Sequence, residues 1–162
     1  MARRLLWRIV HQSRSEAAFA GKGAARFPGR WNERGTPVVY AAESLAGAVV
    51  ELLAYFPSVR SLEAYVYFRA HVEEKAVLDL DLRALPEDWR AFPHSTSTQR
   101  IGTRWQREAA SVGLRVPSAL IPETYNVLLN PEHPEFPSAV RVEGPFALDV
   151  DDRLRDLLER GS

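Results

Sequence analysis

Short stretches of alternating apolar and polar residues recur along the chain and predict strands. Leu5–Val10 alternates so that Trp7 and Ile9 lie on one face of a first strand and Arg8 lies on the other. The short apolar run Val38–Ala42 predicts a second strand. Further strands are predicted at Glu63–Val72, Ala76–Leu80, Arg115–Ile121 and Val127–Leu129, with one or two more within Ala139–Asp149.

Helical spacing appears between these strands. Ser44 is a suitable N-cap for a helix over 45–56, which Pro57 would end. Further helices are predicted at 86–91 with Pro86 in the first turn, at Ser95–Val112 with a stripe of Ile101, Trp105 and Ala109, and at Asp151–Arg160. Residues 21–37 are rich in glycine, proline and polar side chains and predict a long loop. Because strands outnumber helices without strict alternation, we expect one α+β domain and not a doubly wound fold.

Composition narrows the class of protein. A chain of 162 residues can bury a substantial core as one domain. The chain has no cysteine, which excludes disulfides, thiolate catalysis and cysteine-ligated zinc. No apolar stretch approaches the ~20 residues that a membrane span needs, and the first residues lack the features of a signal peptide. We therefore expect a cytoplasmic protein that does not contact the membrane.

The charge of the chain restricts its possible functions less than the composition does. The net charge is zero, which argues against direct nucleic-acid binding. Residues 1–34 nevertheless hold seven arginines and Lys22 against only Glu16 and Glu33, so this segment could attract a phosphorylated ligand or simply form a solvated surface. The histidines show no metal-ligand spacing, and no metal site is expected; they are His11, His71, His94 and His133.

Glu51 is the most unusual residue, since it is the one charge in the apolar run 45–56. Burying an unpaired carboxylate costs several kcal/mol, so such a residue is normally paired or faces a cleft. Gly47, Ala48 and Ala54 lie on the same helical face and leave a shallow surface beside it. The apolar neighbours leave little of this helix to face solvent. We therefore favour a functional glutamate over a surface one.

Arg30 follows Gly29 within the predicted loop. Glycine permits a tight turn and a close approach of the backbone to a ligand, and the guanidinium suits a phosphate or carboxylate. Trp31 either anchors this loop to the core or offers a flat face to a ligand. A plain turn with a surface arginine explains the same residues.

Tyr40 and Ser118 are weaker candidates. Tyr40 lies within a strand that leads into the helix of Glu51, and its ring could stack on a planar heterocycle or fill the core. Ser118 lacks the Gly-x-Ser-x-Gly context of an activated nucleophile, so a hydrogen bond to a ligand or to Glu51 fits it better. Asn126 could be a satisfied amide at a strand end.

Taken together, these residues resemble the RES domain, the toxin half of RES–Xre toxin–antitoxin pairs. The resemblance spans nearly the whole chain and depends on the segments 19–26, 29–32, 35–44, 116–118, 126–131 and 133–134, besides Glu51. Pro28 stands where such toxins often have a second glycine, and Gly47 interrupts the helix; neither departure removes a presumed catalytic group.

The resemblance implies a single RES domain over residues 1–162, with an ADP-ribosyltransferase-like mixed β core flanked by helices. It also implies NAD+ as the substrate, without a metal. Glu51 would stabilise an oxocarbenium-like state, Arg30 would hold the phosphate or ribose, Tyr40 would stack on nicotinamide, and Ser118 would orient Glu51 or the substrate. Further ligand contacts are expected from Trp31, Asn32, Asn126 and Arg8. Arg30 and Glu51 would flank one ligand instead of forming a direct ion pair.

Three functions stay open at this point. The first is a toxin that degrades NAD+ by transferring ADP-ribose to water or phosphate, as a glycohydrolase or phosphorylase. The second is a mono-ADP-ribosyltransferase that modifies a cellular protein, and the third is a non-enzymatic domain that binds an acidic partner. The resemblance also implies an Xre-type helix-turn-helix antitoxin that blocks the cleft and contacts DNA in place of this chain. A homo-oligomer or a larger toxin–antitoxin complex would be compatible with this partner.

Overall fold

A computed structural model describes residues 2–56 and 61–160, and their strands form one seven-stranded sheet. The strands are β1 Arg3–His11, β2 Val39–Ala42, β3 Tyr65–Glu73, β4 Val77–Asp79, β5 Gly113–Pro117, β6 Tyr125–Leu129 and β7 Val140–Ala147. Their order across the sheet is β4-β5-β6-β2-β1-β3-β7. Only the β4–β5 pair is parallel among these strands. The predicted α+β class is confirmed.

The helices flank this sheet. They are α1 Lys22–Arg26, α2 Leu45–Tyr55, α3 Thr96–Arg107, α4 Phe136–Ala139 and α5 Asp152–Arg160, with short 3-10 turns at Gln12–Ala17, Glu74–Ala76 and Leu82–Ala84. No helix of the described residues has the length and apolar character that crossing a membrane would require.

The core covers both faces of the sheet. Leu6 packs on one face with apolar residues of β2 and β6 such as Val39 and Leu129. On the other face, Trp105 of α3 packs against Leu114 and Leu128. The helix α2 follows β2 directly and packs on β1 and β2. The sheet therefore holds α2 beside the ends of β2, β5 and β6.

Several predicted boundaries were wrong. The helix predicted to reach Val112 ends at Arg107, because Ala109 has a φ of 48° and takes the left-handed conformation that stops a helix. The strand predicted to reach Ile121 ends at Pro117, and the following residues form a turn. The predicted loop 21–37 contains the short helix α1. Pro57, the predicted end of α2, lies outside the described residues.

The helix predicted at 86–91 is also wrong, since these residues form turns. Their backbone bonds are of the turn type, from Trp89 N to Pro86 O and from Ala91 N to Asp88 O. The carbonyls of Trp89 and Ala91 accept hydrogen bonds from the side chain of Arg30. A continuing helix could not use Trp89 O, because Pro93 has no N–H, and a distant guanidinium bonds to this carbonyl instead.

Candidate active site

The carboxylate of Glu51 is held from one side by two uncharged donors. Its Oε1 accepts a hydrogen bond from Ser118 Oγ at 2.6 Å and another from Asn126 Nδ2 at 2.9 Å. Among the described residues, Oε2 has no hydrogen-bond partner. One oxygen therefore fixes the orientation of the carboxylate, and the other stays free to bind a ligand.

The sheet register brings these partners together from distant parts of the chain. Ala42, the last residue of β2, pairs with Asn126 of β6, and Asn126 pairs with Val116 of β5. Residues paired in this way share one face, so Asn126 lies close to Ser118 just after β5. The chain then turns at Ser44, whose hydroxyl accepts a hydrogen bond from Gly47 N and caps α2.

A groove of about 490 Å³ opens beside Glu51. Its volume is within the range of small-molecule sites. Gly47 and Val50 of α2 lie along it, and Val50 is 40% exposed. Of the small residues predicted on this face of α2, Gly47 lines the groove, whereas Ala48 is buried in the core. The expectation that little of α2 faces solvent was wrong, because Val50, Tyr55 and Phe56 are all exposed.

Arg30 lies near Glu51 without pairing to it. Its guanidinium donates hydrogen bonds to Trp89 O at 2.8 Å and to Ala91 O at 2.9 Å. Within residues 2–56 and 61–160, no carboxylate lies within 4.0 Å of it. Burial lowers the pKa of Arg30, and the nearby charge of Glu51 acts in the opposite direction. The two charges are therefore close enough to interact without forming an ion pair. Glu51 lines the groove, whereas Arg30 lies outside its lining.

Tyr40 supports the loop that carries Arg30. Its hydroxyl donates to Asn32 Oδ1 at 2.6 Å and accepts from Trp31 N at 3.1 Å. Burial raises the pKa of Tyr40, so the hydroxyl stays neutral at physiological pH. Gly29 passes so close that an added Cβ would lie 2.8 Å from this hydroxyl. These contacts with Gly29, Trp31 and Asn32 fix the half-buried ring of Tyr40 against the Arg30 loop.

Trp31 and Asn32, from which ligand contacts were predicted, are both buried. Trp31 is 3% exposed within the core, and Asn32 is fully buried. The Asn32 side chain bonds to Gly29 N, Tyr40 and the carbonyls of Ala24, Glu33 and Thr36. Both residues hold the Arg30 loop from inside the protein, which is the anchoring role considered for Trp31 from the sequence.

Arg8 is not brought to the groove. Trp7 pairs with Ala42 and so shares the face of the sheet on which Asn126 lies, whereas Arg8 points to the opposite face. Its guanidinium donates to Ala18 O at 2.6 Å and to the backbone carbonyl of Tyr40 at 2.8 Å. Burial lowers the pKa of Arg8 to about 10. We leave Arg8 out of the proposed site.

Sequence reasoning missed an ion-pair network in the groove wall. Glu43 accepts hydrogen bonds from Arg4 at 2.7 Å and from Arg115 at 3.0 Å. The guanidinium of Arg115 also lies 3.5 Å over the ring of Tyr125. No local sequence pattern predicts this network, because it joins residues from β1, the β2–α2 link and β5. In the part of the chain that is described, no three His, Asp or Glu side chains meet as metal ligands would.

Comparison with known proteins identifies the family. The RES domain matches residues 5–151. A relative from Yersinia enterocolitica, named Toxin Res, is 33% identical over 151 residues, covering 93% of this chain and 99% of the relative. A Sphingobium relative named Prs ADP-ribosylating toxin is 33% identical over 135 residues, covering 80% of this chain and 83% of the relative.

The fold also matches a solved structure. The crystal structure of the M. tuberculosis MbcT–MbcA toxin–antitoxin complex contains a chain that superposes with a TM-score of 0.74 at 23% identity. The match covers 98% of this chain and 90% of the other. At this identity the likeness establishes the fold, and the sequence matches establish the family. The predicted resemblance is confirmed: the chain belongs to the RES-domain family.

Proposed function

We propose that this chain is the toxin of a toxin–antitoxin pair and that it consumes NAD+ by cleaving the bond between nicotinamide and ribose. The observation that carries the reaction is the carboxylate of Glu51, which is fixed through Oε1 and belongs to a residue that lines the groove. The toxin names of the relatives from Yersinia enterocolitica and Sphingobium support the biological role.

The reaction requires stabilisation of positive charge on the ribose. As the bond from ribose C1′ to the nicotinamide nitrogen breaks, its electron pair moves to that nitrogen and neutralises the pyridinium. The ribose becomes oxocarbenium-like, as in glycoside cleavage. Water then attacks C1′ and loses a proton, so that ADP-ribose and nicotinamide are the products. A carboxylate placed beside C1′ favours this charge more than it favours the ground state.

Glu51 has the features that this role requires. Ser118 and Asn126 donate to Oε1 without neutralising the charge, because neither carries a positive charge. We assign Oε2 to the ribose, where it bonds a hydroxyl and faces the developing cation. Ser118 and Asn126 are positioning residues in this scheme.

Arg30 and Tyr40 complete the site on the other side of the ligand. The hydrogen bonds of Arg30 to two carbonyls leave other N–H groups of its guanidinium available to a phosphate or ribose oxygen. The Tyr40 hydroxyl is already satisfied by Asn32 and Trp31, so its ring is the part that can contact nicotinamide.

The test is nicotinamide release from NAD+ by the purified protein, with Glu51→Gln as the diagnostic variant. The amide oxygen of glutamine can still accept from Ser118 and Asn126, so the variant should fold normally. Loss of the charge should lower kcat by roughly 100- to 1000-fold. Glu123→Gln is the matched control, since it removes an exposed carboxylate of the same groove. Equal activity of Glu51→Gln and wild type would contradict the assignment, as would a comparable loss in the control.

A second candidate, ADP-ribose transfer to a cellular protein, is favoured by the name of the Sphingobium relative. The two candidates differ in the acceptor that attacks C1′. NAD+ loss in the absence of any other protein, with or without added phosphate, supports degradation. Labelling of one protein in a lysate by radiolabelled NAD+, with little loss of NAD+ by the toxin alone, supports transfer.

The partner is proposed to be an Xre-type helix-turn-helix antitoxin acting in the cytoplasm. The solved structure with the same fold is that of a toxin–antitoxin complex. A neighbouring reading frame that encodes such a protein, and whose co-expression restores growth, would support this partner. Toxicity that persists during that co-expression, with both proteins soluble, would count against it.

A further inference from the structure

Arg90 is fixed between the two segments that carry the proposed catalytic groups. Arg30 donates to the carbonyls of Trp89 and Ala91, the residues on either side of Arg90. Arg90 in turn donates from Nε to Ala119 O at 2.9 Å, and Ala119 follows Ser118 directly. A short chain of hydrogen bonds thus connects the Arg30 loop, the 89–91 turn and the segment that orients Glu51.

Neither arginine is neutralised by a carboxylate. Among residues 2–56 and 61–160, no Asp or Glu oxygen lies within 4.0 Å of Arg30 or Arg90, and the hydrogen bonds of both go to backbone carbonyls. Burial lowers the pKa of Arg30, with the positive charge of Arg90 acting in the same direction. Two arginines held near each other without a counter-ion form a favourable place for a multivalent anion.

Arg115, the arginine in the groove lining, is a poorer candidate for the same anion. It is paired with Glu43, which also pairs with Arg4. Its guanidinium face is covered by the ring of Tyr125. Arg90 differs in being exposed and in having free N–H groups beside Arg30.

We propose that Arg90 is a second substrate-binding residue, and that Arg30 and Arg90 together bind the diphosphate of NAD+. This inference rests on the proposed NAD+-cleaving function. It also sets the direction of the substrate. The diphosphate lies at the mouth between the Arg30 loop and the 89–91 turn, and the nicotinamide ribose reaches inward to Glu51.

The first experiment compares Arg90→Ala with wild type in nicotinamide release from NAD+. Arg90 contacts the diphosphate and not the reacting atoms, so KM should rise roughly tenfold while kcat changes less than about twofold, as expected for one lost charge-assisted contact. Arg90→Lys should recover part of the affinity because it restores the charge without the planar fork. Arg83→Ala is the control, since it removes an exposed arginine in the same part of the chain.

An unchanged KM in Arg90→Ala overturns the proposal, and so does a loss confined to kcat. A loss confined to kcat would mean that Arg90 positions Ser118 through its hydrogen bond to Ala119 and does not bind the substrate. The second experiment titrates inorganic pyrophosphate by calorimetry. Wild type and Arg83→Ala should bind it, and Arg90→Ala should bind roughly tenfold more weakly.

These readouts separate this inference from the proposed function. If wild type releases no nicotinamide, the NAD+-cleaving function fails, and the pyrophosphate titration alone decides whether the arginine pair binds a diphosphate. Absent or equal pyrophosphate binding in wild type and Arg90→Ala would then overturn the arginine pair as well.

Discussion

Replacing Ser118 with alanine tests whether this hydroxyl acts through Glu51. Ser118 is 2% exposed, and its Oγ donates to Glu51 Oε1 at 2.6 Å. Ser118 Oγ also accepts hydrogen bonds from Leu120 N at 3.1 Å and from Ile121 N at 3.3 Å. The substitution removes one of the two donors to the carboxylate and opens the turn after β5.

The magnitude follows from the bond to the carboxylate. A hydrogen bond to a charged group contributes about 1.5–3 kcal/mol. The freed N–H groups belong to exposed residues, Leu120 and Ile121, so water can replace that part of the loss. For a chain of this size the melting temperature should fall by about 3–12 °C. If the same energy is lost from the transition state, kcat should fall about 10- to 100-fold.

The assay is a double-mutant cycle on nicotinamide release and thermal melting. Ser118→Ala, Glu51→Gln and the double variant are compared with wild type under one set of conditions. If Ser118 acts through the carboxylate, the double variant should be no less active than Glu51→Gln alone, although it should be less stable. Fully additive losses in activity would refute the reasoning, and so would wild-type kcat in Ser118→Ala.

Three further predictions concern the loop and its neighbours. Gly102→Ala should prevent soluble expression, because Gly102 of α3 packs against the Arg30 loop and the new Cβ would lie 1.6 Å from the carbonyl oxygen of Trp31. Gly29→Ala should displace Tyr40 and destabilise the protein by about 1–3 kcal/mol in chemical denaturation, and unchanged stability would show that the loop can shift freely. Burial lowers the pKa of His94, so the unfolded chain binds a proton at this histidine before the folded protein does as the pH falls below about 6.5. The melting temperature should therefore drop more between about pH 7.5 and about pH 5.5 in wild type than in His94→Gln. Parallel pH profiles of the two proteins would contradict this.

The local features of the site could be predicted from the sequence. The helix α2 begins at Leu45 after the Ser44 cap, as expected, because a cap and its helix interact over three or four residues. The bond from Ser118 to Glu51 was anticipated as one of two alternatives. Arg30 and Glu51 form no direct ion pair, and the ligand shared between them stays a prediction.

Other expectations failed where a distant partner decided the outcome. The 86–91 segment has a helix-like start at Pro86 but forms turns whose carbonyls bond to Arg30, 59 and 61 residues away. Asn32 has a polar side chain in a glycine-rich loop, yet it is fully buried because five partners around it satisfy its amide. The burial of Asn32 has no local signature in the sequence, whereas Pro93 already opposes a helix that continues past residue 91.

The sequence by itself determined the α+β class, the helix that carries Glu51 and the set of polar residues suited to the chemistry. The class and the helix follow from periodicity and capping, which act between near neighbours in the chain, and the polar residues follow from the resemblance to the RES domain. Only the tertiary structure decided which of those residues meet. Ser118 and Glu51 are 67 residues apart, and Asn126 is 75 residues from Glu51. The register of β2, β5 and β6 places them together, and that register depends on packing over the whole sheet.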